Sequence, residues 1–225
     1  MEGVRSVVDL GCGPGNSTRI LAEKWPKSRI AGVDNSASMI DVARREQPEH
    51  QWVVSDITQW ASDEREHFDV VFSNAALQWV PDHATLYPRL FARVSSAGVF
   101  AVQIPSDFNS LPHRLMREIA SPDMTVKEWH AHSPGFYYDL LAPLAARVDM
   151  WETEYHHVLA NAEAIVEWYK GTGLRPFLES LATDSDREHF LAEYLKRIRE
   201  AYPVRPDGRV LFPFRRLFVI AYLNA

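Results

Sequence analysis

The chain has 225 residues, 46% of them hydrophobic and 24% charged, with a formal net charge of −6. That is enough for one sizeable α/β domain with a small appended cap, and it is not the composition of a disordered chain. The negative charge argues against a surface that coats nucleic acid, and no stretch reaches the roughly 20 apolar residues that cross a bilayer. A single cysteine, Cys12, excludes an internal disulfide and a cysteine-only metal cage and suits a reducing cytoplasm.

The N-terminus has no apolar signal core and runs straight into the first strand, Val7 to Leu10, which the glycine-rich Gly11-Cys12-Gly13-Pro14-Gly15 closes. Asn16 to Trp25 reads as a helix with Ile20, Leu21 and Trp25 on one face and Asn16 or Ser17 as its cap. Arg29 to Asp34 is the second strand, Ser38 to Gln47 a helix stopped by Pro48, Gln51 to Ser55 the third strand and Phe68 to Ser73 the fourth. A helix over Ala84 to Val94 ends at a Ser95-Ser96-Ala97-Gly98 turn, and Val99 to Gln103 is the fifth strand. Strands separated by helical crossovers give right-handed parallel units with helices on both faces, a doubly wound sheet.

Beyond Gln103 the rhythm breaks. A short helix is expected over Arg114 to Ala120, a sheet-covering helix over Tyr138 to Arg147, a strand over Val148 to Leu159, and helices over Ala162 to Tyr169 and Asp186 to Tyr202. The run from Arg209 to Tyr222 has strand composition after an Asp207-Gly208 turn. The expectation is a single Rossmann-like α/β domain. Its mostly parallel seven-stranded sheet ends in an antiparallel C-terminal hairpin, and residues 104–135 and 160–205 form a small helical lid.

In open α/β sheets ligands sit beyond the carboxyl ends of the strands, near the switch in strand order. Glycines at alternate positions after the first strand let a ligand approach bare backbone and allow positive φ. Asn16 stands where a dinucleotide fingerprint wants its third glycine, which tilts the case from nicotinamide toward a nucleoside without pyrophosphate. Asp34, about 20 residues beyond the loop, is placed for ribose hydroxyls, although a helix cap is its bland alternative. Asp56 suits an exocyclic amine and Ile57 an adenine face, with a plain turn role as the alternative for Asp56. Small residues after the fourth strand (Ser73-Asn74-Ala75-Ala76) let a ligand lie against backbone, and Gln78 and Trp79 face the pocket or the core.

These stretches resemble the ordered motifs of class I S-adenosylmethionine methyltransferases. More narrowly, the chain resembles the trans-aconitate 2-methyltransferase family along nearly its whole length. The resemblance runs through Asp9 to Thr18, Leu77-Gln-Trp79 with Pro81-Asp-His83, Ala101-Val-Gln103, Met116-Arg-Glu118, Tyr137-Tyr-Asp139, Thr172-Gly-Leu-Arg-Pro176 and Arg216-Leu-Phe218. It implies that Gly11, Gly13 and Gly15 hold the methionine part of S-adenosylmethionine, that Asp34 holds the ribose, that Asp56 and Ile57 hold the adenine, and that Asn74 closes over the methionine end through its backbone, with Asp9 and Asn35 also among the cofactor-binding residues. The family carries a further stretch ahead of the first strand that helps cover cofactor and substrate; this chain begins only a few residues before that strand.

Methyl transfer from a sulfonium is an in-line displacement, so the protein must desolvate and align the nucleophile. A carboxylate, with its pKa of about 4, is already ionised at neutral pH and needs no general base. That fits a chain with no catalytic dyad and no metal constellation: His130/His132 and His156/His157 lack zinc spacing. Positioning is then the whole catalytic task. A small polycarboxylate calls for arginine forks, so the expected substrate set is Arg175, with Arg117 and Arg216 as alternatives, joined by Gln78, Trp79, Gln103, Tyr137, Tyr155 and His157. Competing readings are a methyltransferase for another small acid or an amine, a cofactor-binding protein without catalysis, and, weakest, a nicotinamide oxidoreductase.

Overall fold

The structure, a computed structural model, describes residues 3–63, 66–106, 109–122, 124, 126 and 129–224. Seven strands form one sheet: β1 (Ser6–Leu10), β2 (Arg29–Asp34), β3 (Gln51–Val54), β4 (Phe68–Asn74), β5 (Val94–Pro105), β6 (Arg147–Leu159) and β7 (Val210–Tyr222). Their order is β3-β2-β1-β4-β5-β7-β6. The first five are parallel, with β1 hydrogen-bonded to β2 on one side and β4 on the other. The chain winds outward from β1 in both directions, so the switch in strand order falls between β1 and β4.

β7 closes the sheet in the opposite sense. Leu223 N–H donates to Gly98 O near the start of β5, and Ala146 N–H, just before β6, donates to Tyr222 O. Both neighbours therefore begin where β7 ends, the antiparallel arrangement. The closing pair β6 and β7 is adjacent in the sheet although residues 160–209 intervene in sequence.

The helices are α1 (Asn16–Lys24), α2 (Ala37–Glu46), α3 (Ile57–Ala61), α4 (His83–Phe91), α5 (Leu111–Ile119), α6 (Pro134–Leu141), α7 (Ala162–Lys170), α8 (Arg175–Ser180) and α9 (Asp184–Ala201), with a 3₁₀ turn at Leu77–Trp79. Their starts follow local chemistry: the side chains of Ser36, Asp56, Asp82, Ser133, Asn161 and Thr183 each accept a backbone N–H of the following turn.

Two compact units emerge. The first comprises Met1–Ser106, His130–Glu152 and Leu217–Ala225; the second comprises Asp107–Trp129 and Thr153–Arg216. The expected insertions at 104–135 and 160–205 fall largely in the second, apart from positions 107, 108, 123, 125, 127 and 128, which lie outside the described residues. The first unit's core joins Val8, Leu10, Val33, Val71, Phe100 and Val102 of the sheet to Leu86, Tyr87 and Leu90 of α4 and Leu141 of α6. The second gathers Ile165 and Tyr169 of α7, Phe190 and Tyr194 of α9, and Phe212 and Phe214 of β7.

Several boundaries differ from the sequence reading. The Ser95–Gly98 segment is no turn between helix and strand: α4 ends at Phe91, and β5 already begins at Val94. Those residues bulge within β5, where Phe68 pairs with Val94 but Val70 with Val99, and Ala97 takes a positive φ of 59°. Turn-forming residues build a strand bulge here because the antiparallel tail supplies partners for Ala97 N–H and Gly98 O. Sheet-covering helix α6 runs from Pro134 to Leu141, earlier than expected, because Ser133 caps it and Pro134 occupies its first position.

At the foot of the sheet, Asp69 Oδ2 accepts from the backbone N–H groups of Arg5 (2.7 Å) and Ser6 (3.1 Å). This buried carboxylate fixes where β1 starts relative to β4. Replacing it by alanine strands two amides at a buried strand edge, and the expected loss is about 1–3 kcal/mol. Thermal unfolding of Asp69→Ala should show a midpoint several degrees lower; an unchanged midpoint would mean that the strand start is held otherwise.

Candidate active site

Asp9, the next-to-last residue of β1, is fully buried. Its Oδ2 accepts from the hydroxyls of Ser17 and Thr18, both at 2.6 Å, in the first turn of α1. Its Oδ1 is buried without a hydrogen-bond partner among the described residues. Desolvation pushes this carboxyl up to about 6, against the two hydroxyl bonds that favour its charge.

The glycine loop that follows has positive φ at Gly11 (73°), Gly13 (54°) and Gly15 (91°). A Cβ on Gly11 would stand 2.1 Å from the Cβ of Ala76 and 3.8 Å from Cδ1 of Ile57, so three strand exits converge on this one residue. A Cβ on Gly15 would collide with Gln47 and Trp52, whereas Gly13 faces open space. The loop is thus packed from behind and bare at its tip.

Asp34, at the end of β2, holds that tip: its Oδ2 accepts from Gly13 N–H at 2.9 Å and its Oδ1 from Ser36 N–H at 2.9 Å. Ser36, not Asp34, caps α2. Each carboxylate oxygen keeps a second lone pair for an outside donor. Asn35 beside it is exposed. Asp56 is also exposed and caps α3, accepting from Thr58 N–H at 2.7 Å and from its hydroxyl, while Ile57 lies buried beside Gly11.

After β4, Asn74 is exposed and Ala75 takes a positive φ of 54° while donating to Gln103 O. The 3₁₀ turn then carries Gln78, buried, with Nε2 donating to Ala75 O at 2.8 Å, and Trp79, half-buried. Gln103 is buried near the end of β5. All these candidates share the carboxyl edge of the first unit's parallel sheet, the position that open α/β folds use for ligands.

Sequence reasoning missed what holds this turn. His83 Nε2 lies 2.9 Å from Leu77 O, so that nitrogen carries the proton, and Nδ1 accepts from the Tyr137 hydroxyl at 2.9 Å. The same hydroxyl accepts from His132 N–H, and His130 N–H donates to Gln78 O. Tyr137 is wholly buried with its hydroxyl engaged in this network. The signal was faint: Pro81-Asp-His83 stands out in the sequence only as one of the segments that carry the family resemblance.

The remaining candidates lie in the second unit. Tyr155 is exposed and stacks on half-buried His157, which also meets Trp168 and Phe214. Arg175 opens α8 with its side chain largely exposed and Glu179 at 3.7 Å. Of the alternatives, Arg117 is near Asn109, and the Arg216 guanidinium lies 4.9 Å from the Phe214 ring.

Residues 7–98, which include the glycine loop at the switch in strand order, match the family described as methyltransferase domain. The chain is 46% identical over 232 residues to the trans-aconitate 2-methyltransferase of Azoarcus sp. (strain BH72), covering 98% of this chain and 88% of that protein. It is 47% identical to that of Variovorax paradoxus (strain S110), covering 97% and 87%, and 42% identical to that of Escherichia coli O7:K1, covering 98% and 87%. It belongs to the trans-aconitate 2-methyltransferase family. Two solved structures share the fold: the YcgJ protein of Bacillus subtilis (TM-score 0.63, 14% identity, 98% of this chain and 92% of that one) and a phosphoethanolamine N-methyltransferase of Haemonchus contortus in complex with S-adenosyl-L-methionine (TM-score 0.59, 14% identity, 100% and 50%).

Burial lowers the basicity of His83. A depressed folded-state pKa means that the unfolded chain takes up a proton first. The stability this neutral imidazole contributes is therefore complete above about pH 6.5 and declines as pH falls through that value. Denaturant titrations of wild type and His83→Gln between pH 7.5 and 5 should show a shallower decline in the variant, and parallel curves would dismiss the neutral-histidine account.

Proposed function

We propose that this protein transfers the methyl group of S-adenosylmethionine to one carboxylate of trans-aconitate, giving the monomethyl ester and S-adenosylhomocysteine. The observation that carries the proposal is Asp9: a buried carboxylate with one unused oxygen, beside a glycine loop whose tip is bare backbone. An unpaired buried charge is costly unless a cation or donor meets it, and the α-ammonium of the cofactor's methionine is a cation of suitable size. The family relationship supplies the substrate.

Bound S-adenosylmethionine supplies an electrophilic methyl on a sulfonium. In this reading Asp9 takes its ammonium, Asp34 accepts from the ribose hydroxyls while still holding Gly13, and Asn35 flanks them. Ile57 offers an apolar face to the adenine, Asp56 accepts from its amine, and Asn74 lies along the methionine end. Gln78, Trp79 and Gln103 border the acceptor in the first unit, where Tyr137 acts as a buried support. Tyr155, His157 and Arg175, the other substrate candidates from the sequence, belong to the second unit. The acceptor carboxylate enters ionised, a C–O bond forms as the C–S bond breaks, and no proton is transferred. The side chains orient, exclude water and set charge. A cytoplasmic location accords with the lone, buried Cys12.

Calorimetric titration with S-adenosylhomocysteine, followed by labelled S-adenosylmethionine plus trans-aconitate, tests the proposal. Binding with ester formation from trans-aconitate supports it; binding with methyl transfer only to other acids or to amines overturns the substrate, and absence of binding overturns the cofactor.

Because Asp9 must be ionised to hold a cation, affinity for S-adenosylhomocysteine should fall as pH drops through about 6. In Asp9→Asn it should be weaker by about ten- to a hundredfold at pH 7.5 and nearly flat over the same range. An equally steep pH dependence in the variant would assign the titration to another group.

A further inference from the structure

Gln47 touches the last residue of the glycine loop from behind, and no atom lies within 4 Å of where a Cβ on the tip residue Gly13 would stand. It follows the last residue of α2, is buried, and donates from Nε2 to Gly15 O at 3.0 Å. The same carbonyl accepts from Arg19 N–H at 3.0 Å as the first hydrogen bond of α1. Gln47 therefore grips the atom at which loop becomes helix. Trp52 of β3 completes the grip: its indole N–H donates to Gln47 O at 2.9 Å, and its ring packs where Gly15 and Gly32 lack a Cβ.

The first turn of α1 thus has two anchors. From β1, Asp9 takes the hydroxyls of Ser17 and Thr18; from α2, Gln47 takes the carbonyl of Gly15. Releasing the second lets that turn shift, and with it the hydroxyls that orient the Asp9 carboxylate. One detail separates this role from plain packing. Gln47 Oε1 is buried without a partner among the described residues. An unmet buried acceptor is a stability cost that an apolar side chain of similar length avoids.

We infer that Gln47 is a positioning residue for cofactor binding, acting through Gly15 and the first turn of α1 and never touching the cofactor. The inference rests on the cofactor reading above. Its test is the Gln47→Met variant, read by S-adenosylhomocysteine calorimetry, thermal unfolding and steady-state kinetics. The expected result is a dissociation constant raised about five- to tenfold and KM for S-adenosylmethionine raised in step. kcat at saturation should stay within about twofold, and the unfolding midpoint should be unchanged or higher. If Gln47→Met does not fold, Gln47→Asn, whose amide is too short to reach Gly15 O, is read in the same way. A folded variant that binds as wild type does, or one that loses stability and affinity together, overturns the inference alone. A wild-type protein that binds no S-adenosylhomocysteine overturns the cofactor reading and this one with it.

Discussion

There is no room for a side chain on Gly11, and most of the site follows from that. The methyl of Ala76 stands where the Gly11 Cβ would be, so the exits of β1 and β4 are pressed together at the place where the strand order switches. A close approach of backbone to backbone leaves a crevice floored by main-chain atoms. It also forces unusual φ values on both sides, at Gly11 and at Ala75, the latter a residue that seldom adopts one. Strain of this kind persists only where surrounding structure holds it. Here Gly11 N–H bonds to Val33 O, and Ala75 N–H to Gln103 O.

The second element of the design is a division of labour along the glycine loop. Gly11 and Gly15 are glycines because neighbours occupy their side-chain space. Gly13 has empty space around it and is selected by its backbone angle alone. The structure adds to the motif that two of the three glycines are packed from behind and one leaves the loop's tip bare. The acids divide similarly. Asp34 already holds Gly13 and Ser36, so it is a rigid acceptor for anything that donates to its remaining lone pairs.

The first half of the chain was legible because its signals are local. Alternating apolar strands, a glycine cluster and an acid beside the end of each of the first three strands sit within a few residues of the feature they announce, and β1, β2 and β4 lie within a residue or two of where the pattern puts them. Long-range partners were not legible. The Ser95–Gly98 segment has turn composition, and only pairing with the distant tail at Leu223 and Asn224 makes it part of a strand. Gln47 reads as an ordinary helix end before a proline, since its partner Gly15 is 32 residues away. Tyr137 reads as a pocket hydroxyl, and its bond to His83, 54 residues distant, could not be read from the sequence. α3 and α8 escaped detection because five or six residues carry too little periodicity to register.

Two buried ionisable groups in the first unit respond to acid in opposite senses. Asp9, pushed up by desolvation, binds a proton in the folded state before it would in the unfolded chain. Its burial cost is therefore absent in acid and reaches on the order of 3 kcal/mol once the pH has risen past about 6. His83 is pushed the other way, so acid removes what it contributes. At neutral pH the protein holds His83 in its comfortable form and Asp9 in its costly one. The proposed ammonium contact at Asp9 would offset part of a cost already present in the folded chain. The anchors at Ser17, Thr18 and Gln47 then acquire a common purpose. The two hydroxyls favour the charged carboxylate and so lower its cost in part, and Gln47 holds in place the turn that carries them.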